Sequence, residues 1–327
     1  MWRKRCDHAV GETRRVRDLV VRGKRPVGAR TVELLLCDPD GRKLPRWPAG
    51  AHIDLLLPHR LIRPYSLAGD PSDTAGWRLL IRCPSAADSR EAAVSASAYV
   101  RDVLAVGDRV RARGPYDRFR LAGAPSYLFL ASGAGIAPLL PMARLIQAAL
   151  VYPWSLIHID RAEESGALRA EVLSLGPGVS VQKELDIDAV LTAAAPGTAV
   201  YVCGPSRFVT AMEAAAQRTP HVQVHRQRFD AAEPRGGSGR PCDIVLARRG
   251  ERVHVDAGTP VLTALLDAGV DVPYACGAGI CGACAVRVID GPIDHRDSVL
   301  TKRERDGGAV IITCVSRASG DGITLDL

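Results

Sequence analysis

The rhythm of apolar and polar positions changes twice along the chain. Up to about residue 123, apolar residues come in short runs or in alternation, and Pro, Gly or Asp-Gly cuts each run. TVELLLCDPDGRKL (31–44) reads as a strand and an Asp-Gly turn. AHIDLLLP (51–58), WRLLIRCP (77–84) and DRVRARGP (108–115) read as further strands, with one helix predicted over Ser97–Leu104. Many short strands predict a barrel or sandwich. From about 124 to 230 strands alternate with helices: YLFLAS (127–132), a helix from Leu139, SLIHID (155–160), ALRAEVLSL (167–175), AVYVCGP (199–205) and RFVTAMEAAAQR (207–218). That alternation predicts βαβ units on a parallel sheet. DAAEPRGGSGRP (230–241) has a linker's composition. Beyond it, CDIVLARRGERVHVDAG (242–258) reads as a hairpin. TPVLTALLDAG (259–269) reads as a helix with Thr259 as N-cap and Gly269 at its end. AVRVI (285–289) and AVIITCVS (309–316) read as strands, with a short helix opening on a capping box of Thr301 and Glu304.

Composition changes this picture little. A chain of 327 residues suits two or three domains, and 47% apolar content is that of a globular protein. The net charge is +7, but only 5% of residues are aromatic, so no nucleic-acid platform is expected. Charge is unevenly divided: 242–327 carries 9 basic and 12 acidic residues, the rest 34 and 24. The C-terminal part therefore reads as a separate acidic unit. Residues 121–143 hold no charge, yet three glycines and three prolines interrupt them, and a strand, a phosphate loop and a packed helix account for them better than a membrane span. The basic N-terminus has no apolar run of the secretory type, and nine mostly scattered cysteines argue for a reducing compartment, so a cytoplasmic protein is expected.

Four of those cysteines carry the chemistry. In YACGAGICGACAVRV (274–288) the spacing is Cys276-x4-Cys281-x2-Cys284, and Cys314 follows on a later strand. This is the plant-type [2Fe–2S] ferredoxin pattern, in which four thiolates hold two irons. Gly277, Gly279 and Gly282 let the backbone turn back and approach the sulfurs. A zinc site is the alternative, but zinc ribbons pair two Cys-x2-Cys hairpins, which this loop does not.

With these residues in hand, the chain resembles the phthalate dioxygenase reductase and vanillate demethylase reductase family from about residue 14 to Leu327. DHRDSVLT (294–301) and CVSRA (314–318) are its most specific marks. The resemblance implies an antiparallel β-barrel flavin domain (1–123) and an α/β parallel-sheet NAD domain of the ferredoxin–NADP reductase type (124–230). A linker (231–241) and an α+β, β-grasp ferredoxin domain (242–327) follow. RPYSL (63–67) resembles the family's flavin motif, which implies that Tyr65 packs on the isoalloxazine and Ser66 bonds near N5. Arg63 would meet the flavin phosphate, and Leu67 completes the motif. VSASAYVRD (94–102) keeps the family's serine at Ser97 while Ser95 and Ala96 replace glycines. GPYDRF (114–119) has Asp117 where the family often has Asn and lacks a second glycine, which favours FMN over FAD.

SGAGIAP (132–138) resembles the nucleotide loop: Gly133 and Gly135 permit the turn, and Pro138 begins the helix facing the pyrophosphate. YVCGP (201–205) resembles the stretch that sets Cys203, Gly204 and Pro205 beside the nicotinamide. In HIDRAEES (158–165), Arg161 matches a family arginine. Asp160 replaces a small residue, either accepting from the ribose 2′-OH and favouring NADH or standing as a solvated loop acid. His52 and His295 read as structural.

The implied activity is that of an NADH-dependent oxidoreductase, a monomer, serving a terminal oxygenase of the Rieske type, with no acid, base or nucleophile. A nicotinamide gives two electrons as a hydride, an iron–sulfur cluster carries one at a time, and a flavin can do both. Another acceptor such as a P450, or a redox carrier or sensor without turnover, are the alternatives.

Overall fold

In the computed structural model of the protein, residues 16–58, 62–83, 96–160, 166–229, 240–274, 277, 279, 282–300 and 302–327 are described. The chain divides into two compact units, Met1–Gln227 and Arg228–Leu327.

The first unit opens with β1 (Val16–Gly28), β2 (Thr31–Cys37), β3 (His52–Leu56), β4 (Ile62–Ser66), β5 (Trp77–Arg82), helix α1 (Ala96–Asp102) and β6 (Arg109–Tyr116). The six strands form an antiparallel sheet in the order β4-β3-β6-β1-β2-β5. Its edges meet where Leu67, just past β4, bridges Leu79 on β5, and where the Ala68 amide donates to the Arg78 carbonyl at 2.9 Å. The sheet is thus a barrel, filled by Leu19, Leu34, Leu36, Ile53, Leu55, Trp77 and Leu79. In β2 and β6 buried residues alternate with less buried ones, as the short alternating runs predict, whereas four successive residues of β3 are buried.

The rest of this unit is α/β. It runs β7 (Tyr127–Ser132), a 3₁₀ turn (Gly133–Gly135), α2 (Ile136–Ala149), β8 (Trp154–Ile159), α3 (Ala167–Leu173), β9 (Val179–Gln182), α4 (Ile187–Ala193), β10 (Ala199–Gly204), α5 (Ser206–Ala216) and β11 (Gln223–Arg228). The sheet order is β11-β10-β7-β8-β9, with β10/β7, β7/β8 and β8/β9 parallel. Successive residues of β10 supply opposite faces: Tyr201 and Cys203 pack with Leu140 and Met142 of α2, whereas Val200 and Val202 pack with Leu191 of α4 and Val209 of α5. Helix α2 starts at Ile136, not at Leu139 as predicted. Pro138 does not delay it, because amides in the first turn have no intrahelical acceptor to lose. No helix among the described residues is long and apolar enough to cross a membrane.

The second unit contains β12 (Cys242–Leu246), β13 (Glu251–Val255), α6 (Val261–Asp267), β14 (Ala285–Asp290), β15 (Ile293–Asp294), α7 (Lys302–Asp306), β16 (Val310–Ile312), β17 (Arg317–Ala318) and β18 (Gly322–Leu325). Five strands order as β13-β12-β18-β14-β16, with β12 parallel to β18 and antiparallel to β13. The sheet grips α6, whose Val261, Leu262 and Leu265 share a core with Ile244, Leu246 and Ile323. Thr259 is not the N-cap of α6. Pro260 holds that position, and the Thr259 carbonyl instead accepts from the buried guanidinium of Arg317, which also bonds the Arg240 and Asp256 carbonyls at 3.1 Å. Thr301, the predicted cap of α7, lies outside the described residues.

Candidate redox sites

The two nucleotide stretches touch. A Cβ on Gly135 would lie 2.1 Å from the Cys203 carbonyl oxygen, so only glycine lets the turn after β7 rest on the end of β10. From the other side, Gly204 lies against Ser132, where a Cβ would come within 2.9 Å. Gly133, with φ +54°, makes the turn, and its carbonyl accepts from the His158 Nε2–H at 2.9 Å. His158 was not singled out in the sequence, although a histidine inside the apolar run SLIHID is its one visible signal. Burial pushes its pKa down against the opposing pull of the Gly133 bond and Asp160, so the ring is neutral and serves as a clip. Its Nδ1 is buried without a hydrogen-bond partner.

Asp160 follows β8, nearly buried, with its amide on the Gln182 carbonyl at 2.9 Å. Arg161 lies outside the described residues. Pro138 is buried in the first turn of α2, and Pro205 caps α5. Cys203 is fully buried, and that burial pushes its thiol well above the ordinary value, so it cannot supply a thiolate nucleophile.

Arg63–Ser66 of the RPYSL stretch lie in β4, and Leu67 follows it. Its register on β3 pairs Leu55 with Arg63, Ile53 with Tyr65 and His52 with Ser66, and His52 also pairs with Tyr116 on β6. Arg63 is half-buried, donates Nη1–H to the Ile62 carbonyl at 2.9 Å, and forms no ion pair among the described residues. The Tyr65 ring packs on the barrel core, and burial raises its phenol. Leu67 is fully buried in that core, and its amide donates to the Ala51 carbonyl at 2.9 Å. Ser97 stands half-buried in α1; the residues before that helix, 84–95, lie outside the described set. Asp117 is paired with Arg120 at 2.6 Å, although burial still pushes its carboxyl up.

Ser66 links the barrel to the nucleotide sheet. Its hydroxyl accepts from Gln227 Nε2 at 3.3 Å, and the Gln227 Oε1 is buried with no hydrogen-bond partner. Gln227 ends in the plain polar run QVHRQR, where nothing marks it. These groups fit a flavin: a carboxylate-free guanidinium suits the phosphate, a packed phenol ring suits a flat face, and the orphaned amide oxygen beside Ser66 suits a donor on the ring edge.

In the second unit Cys284 and Cys314 are buried thiols outside any disulfide. Thr313 ties them: its amide and hydroxyl donate to the Cys284 carbonyl at 3.3 and 3.0 Å. Cys276 and Cys281 lie outside the described residues. Gly277, Gly279 and Gly282 have φ of +64°, +69° and +69°, the left-handed turns expected of the loop. A Cβ on Gly279 would come within 2.5 Å of Val315 Cγ2 and 3.3 Å of Asp297 Cα, and its carbonyl accepts from the Ser298 amide at 2.9 Å. The DHRDSVLT stretch thus backs the loop. Its Asp297 carboxylate, wholly buried, accepts from the Val299 and Leu300 amides at 3.0 and 2.8 Å. His295 lies 3.5 Å from Asp297 in that packing. Buried thiols on a turned-back loop fit an iron–sulfur cluster. Among the described residues, no group of three or more His, Cys, Asp or Glu could hold a metal ion.

Comparison with known proteins agrees with this geometry. The family profile described as the 2Fe-2S iron-sulfur cluster binding domain matches residues 244–319, a span that contains all four cysteines of the pattern. The phthalate 4,5-dioxygenase oxygenase reductase subunit of Pseudomonas putida is 33% identical over 302 residues, covering 89% of this chain and 91% of that one. The solved structure of phthalate dioxygenase reductase, described as a modular structure for electron transfer from pyridine nucleotides to [2Fe-2S], is 28% identical with a TM-score of 0.69. The match covers 98% of this chain and 99% of that one. An intact type IV self-sufficient cytochrome P450 monooxygenase is 36% identical with a TM-score of 0.83, covering 95% of this chain and 41% of that longer one.

Proposed function

From the premise that the chain belongs to the phthalate dioxygenase reductase and vanillate demethylase reductase family, and is an NAD(P)H-dependent oxidoreductase, we propose that it is the NADH-dependent reductase of a Rieske-type aromatic-ring oxygenase or O-demethylase. Bound FMN and a [2Fe–2S] cluster supply the chemistry, turning a two-electron donor into a source of single electrons. Arg63 and Ser97 hold the flavin phosphate, Tyr65 covers the ring, and Ser66 and Leu67 border it. Gly133, Gly135 and Pro138 receive the pyrophosphate, Asp160 and Arg161 the adenosine ribose. Cys203, Gly204 and Pro205 flank the nicotinamide and keep water from it. Cys276, Cys281, Cys284 and Cys314 ligate the irons. No side chain moves a proton or attacks a bond; the residues orient and exclude.

The observation that carries this reading is the 3.3 Å bond between Ser66 and Gln227, which brings the flavin motif to the end of the nucleotide sheet. It is tested by anaerobic titration of the purified protein with NADH, following flavin and cluster absorbance, with the released flavin identified by chromatography. Bleaching of both chromophores, with FMN released, is expected. A chain with no flavin, or with zinc and no acid-labile sulfide, would end the reading. A second reading, a P450 acceptor, is favoured by the likeness to the self-sufficient P450. Reduction rates toward a Rieske oxygenase and a P450 separate the two.

A further inference from the structure

A chain of ionised side chains joins the barrel and the α/β part of the Met1–Gln227 unit. Arg78 of β5 stands at its centre. It meets Glu33 of β2 at 2.6 Å and takes Glu171 of α3 in a fork at 2.7 and 2.6 Å. Arg144 of α2 reaches the same Glu171 at 2.5 Å, and Arg25 of β1 reaches Glu33 at 2.6 Å. The side chains of Glu33, Arg78 and Glu171 are only 14%, 17% and 21% exposed, so solvent screens them weakly.

Arg78 lies beside the proposed flavin motif, and Glu171 on the helix that follows the proposed ribose stretch in sequence. Arg78 also donates to the Ala68 carbonyl at 3.3 Å, and the Ala68 amide bonds the Arg78 carbonyl, so it grips the chain just past RPYSL on both sides. Glu171 sits on the helix that follows the ribose stretch 158–165, and Gly166 at the start of that helix packs on the Val27 carbonyl of β1. A bidentate arginine–carboxylate pair fixes angle as well as distance. Desolvation offsets much of the stability that such partly buried pairs give, which leaves geometry as their main product here.

We propose that Arg78 and Glu171 are positioning residues that hold α3 and the α/β part in register with the flavin motif, and so set the distance for hydride transfer. The proposal rests on the reading above that NADH reduces a flavin at Arg63–Ser66. In that step the nicotinamide C4–H bond breaks, and its hydrogen leaves with the electron pair for flavin N5, giving NAD⁺ and the reduced flavin anion. The residues proposed to bind the nucleotide, Gly133, Gly135 and Asp160, all belong to the α/β part. Affinity for NAD⁺ therefore does not need the bridge, whereas the transfer spans both parts and does. A misplacement of about 1 Å between reacting partners costs on the order of 10²-fold in rate.

The test is anaerobic stopped-flow reduction of the flavin-loaded 327-residue chain by NADH, beside calorimetric NAD⁺ binding to the same samples. Glu171→Gln and Arg78→Met are expected to lower the limiting rate about tenfold, with flavin content kept and the NAD⁺ Kd within about threefold of wild type. Arg78→Lys recovers part of the rate, and the double variant is no slower than the slower single, because one bridge can be lost only once. A limiting rate within about threefold of wild type in Glu171→Gln, an isosteric change, overturns the proposal. So does a fall in rate accompanied by lost flavin or a weaker Kd, which marks a role in the fold alone. Wild-type protein that binds no flavin would end the reading beneath the proposal instead.

Discussion

The nucleotide–flavin end of the first unit and the cluster loop of the second are built by opposite means. The first draws on β4, β5, β7, β8, β10, β11 and α3, and its parts meet through a few polar contacts: Ser66 with Gln227, His158 with Gly133, Arg78 with Glu171. The second draws on one loop and one strand end, with left-handed glycines shaping the loop and the DHRDSVLT stretch behind it. A site scattered over distant segments depends on how those segments are aligned. A site made by one loop depends on the loop's own backbone. Damage should therefore spread in the first case and stay local in the second.

The largest expected effect is local. On the proposed ligation, Cys284→Ser or Cys314→Ser takes away one of the four thiolates, so iron and acid-labile sulfide should vanish and delivery to an oxygenase should fall at least about a hundredfold. Flavin reduction by NADH should persist. Loss of flavin in the same variants would break the comparison.

Glycine substitutions sharpen it. Gly135→Ala forces a methyl group to 2.1 Å from the Cys203 carbonyl oxygen, so backbone must move at both nucleotide stretches. NAD⁺ affinity should fall by about two orders of magnitude while iron content holds, read by calorimetry and metal analysis. Gly277→Ala meets no neighbour within 4 Å among the described residues and bears the left-handed φ of +64°, a cost of about 1–2 kcal/mol. It should keep its cluster with a lowered melting temperature.

A smaller change concerns nucleotide choice. On the proposed contact of Asp160 with the ribose 2′-OH, NADH should be preferred over NADPH, and Asp160→Ala should narrow that preference by about 1–2 kcal/mol in kcat/KM, the size of one charged hydrogen bond. An unchanged ratio removes the 2′-OH role.

The smallest effect is on acid stability. Burial pushes the Glu171 carboxyl up, but its bonds and charge pairing with Arg78 and Arg144 outweigh burial and hold it below the ordinary value. Glu33 is held down in the same way by Arg25 and Arg78. A carboxylate with a lowered folded-state pKa stabilises the fold above its unfolded value and loses that contribution as pH falls through the folded one. The first unit should lose stability on acidification below about pH 4.5, and Glu171→Gln should reduce that loss by about 1 kcal/mol. Thermal unfolding of the two proteins across acid pH reads the difference.

The same contrast explains what the sequence disclosed. The cysteine spacing and the three loop glycines were legible because three of the four cysteines and all three glycines lie in one contiguous stretch. The local shapes of SGAGIAP and YVCGP were legible for the same reason, each being a strand end and the backbone that follows it. Gln227, His158, Arg78 and Glu171 were not, because their partners lie far away in the chain and no local pattern names them. Strand β1 escaped for a different reason: register shifts at Val21/Gly23 and Pro26/Gly28, with charged residues between, break its alternation. Thr259 fitted the local rule for a cap, but Pro260, with φ −59° and ψ 140°, fills that place, and Arg317 occupies the Thr259 carbonyl.

The central claim is that electrons leave through the cluster of the second unit. A chain ending at Asp230 tests it most directly, in parallel with the 327-residue chain and with a Rieske oxygenase as acceptor. The truncated chain should keep its flavin and oxidise NADH with ferricyanide, which takes electrons from flavin directly, at an undiminished rate, yet reduce the oxygenase no faster than a blank. If it reduces the oxygenase as fast as the 327-residue chain, the cluster is not on the path and the account is wrong.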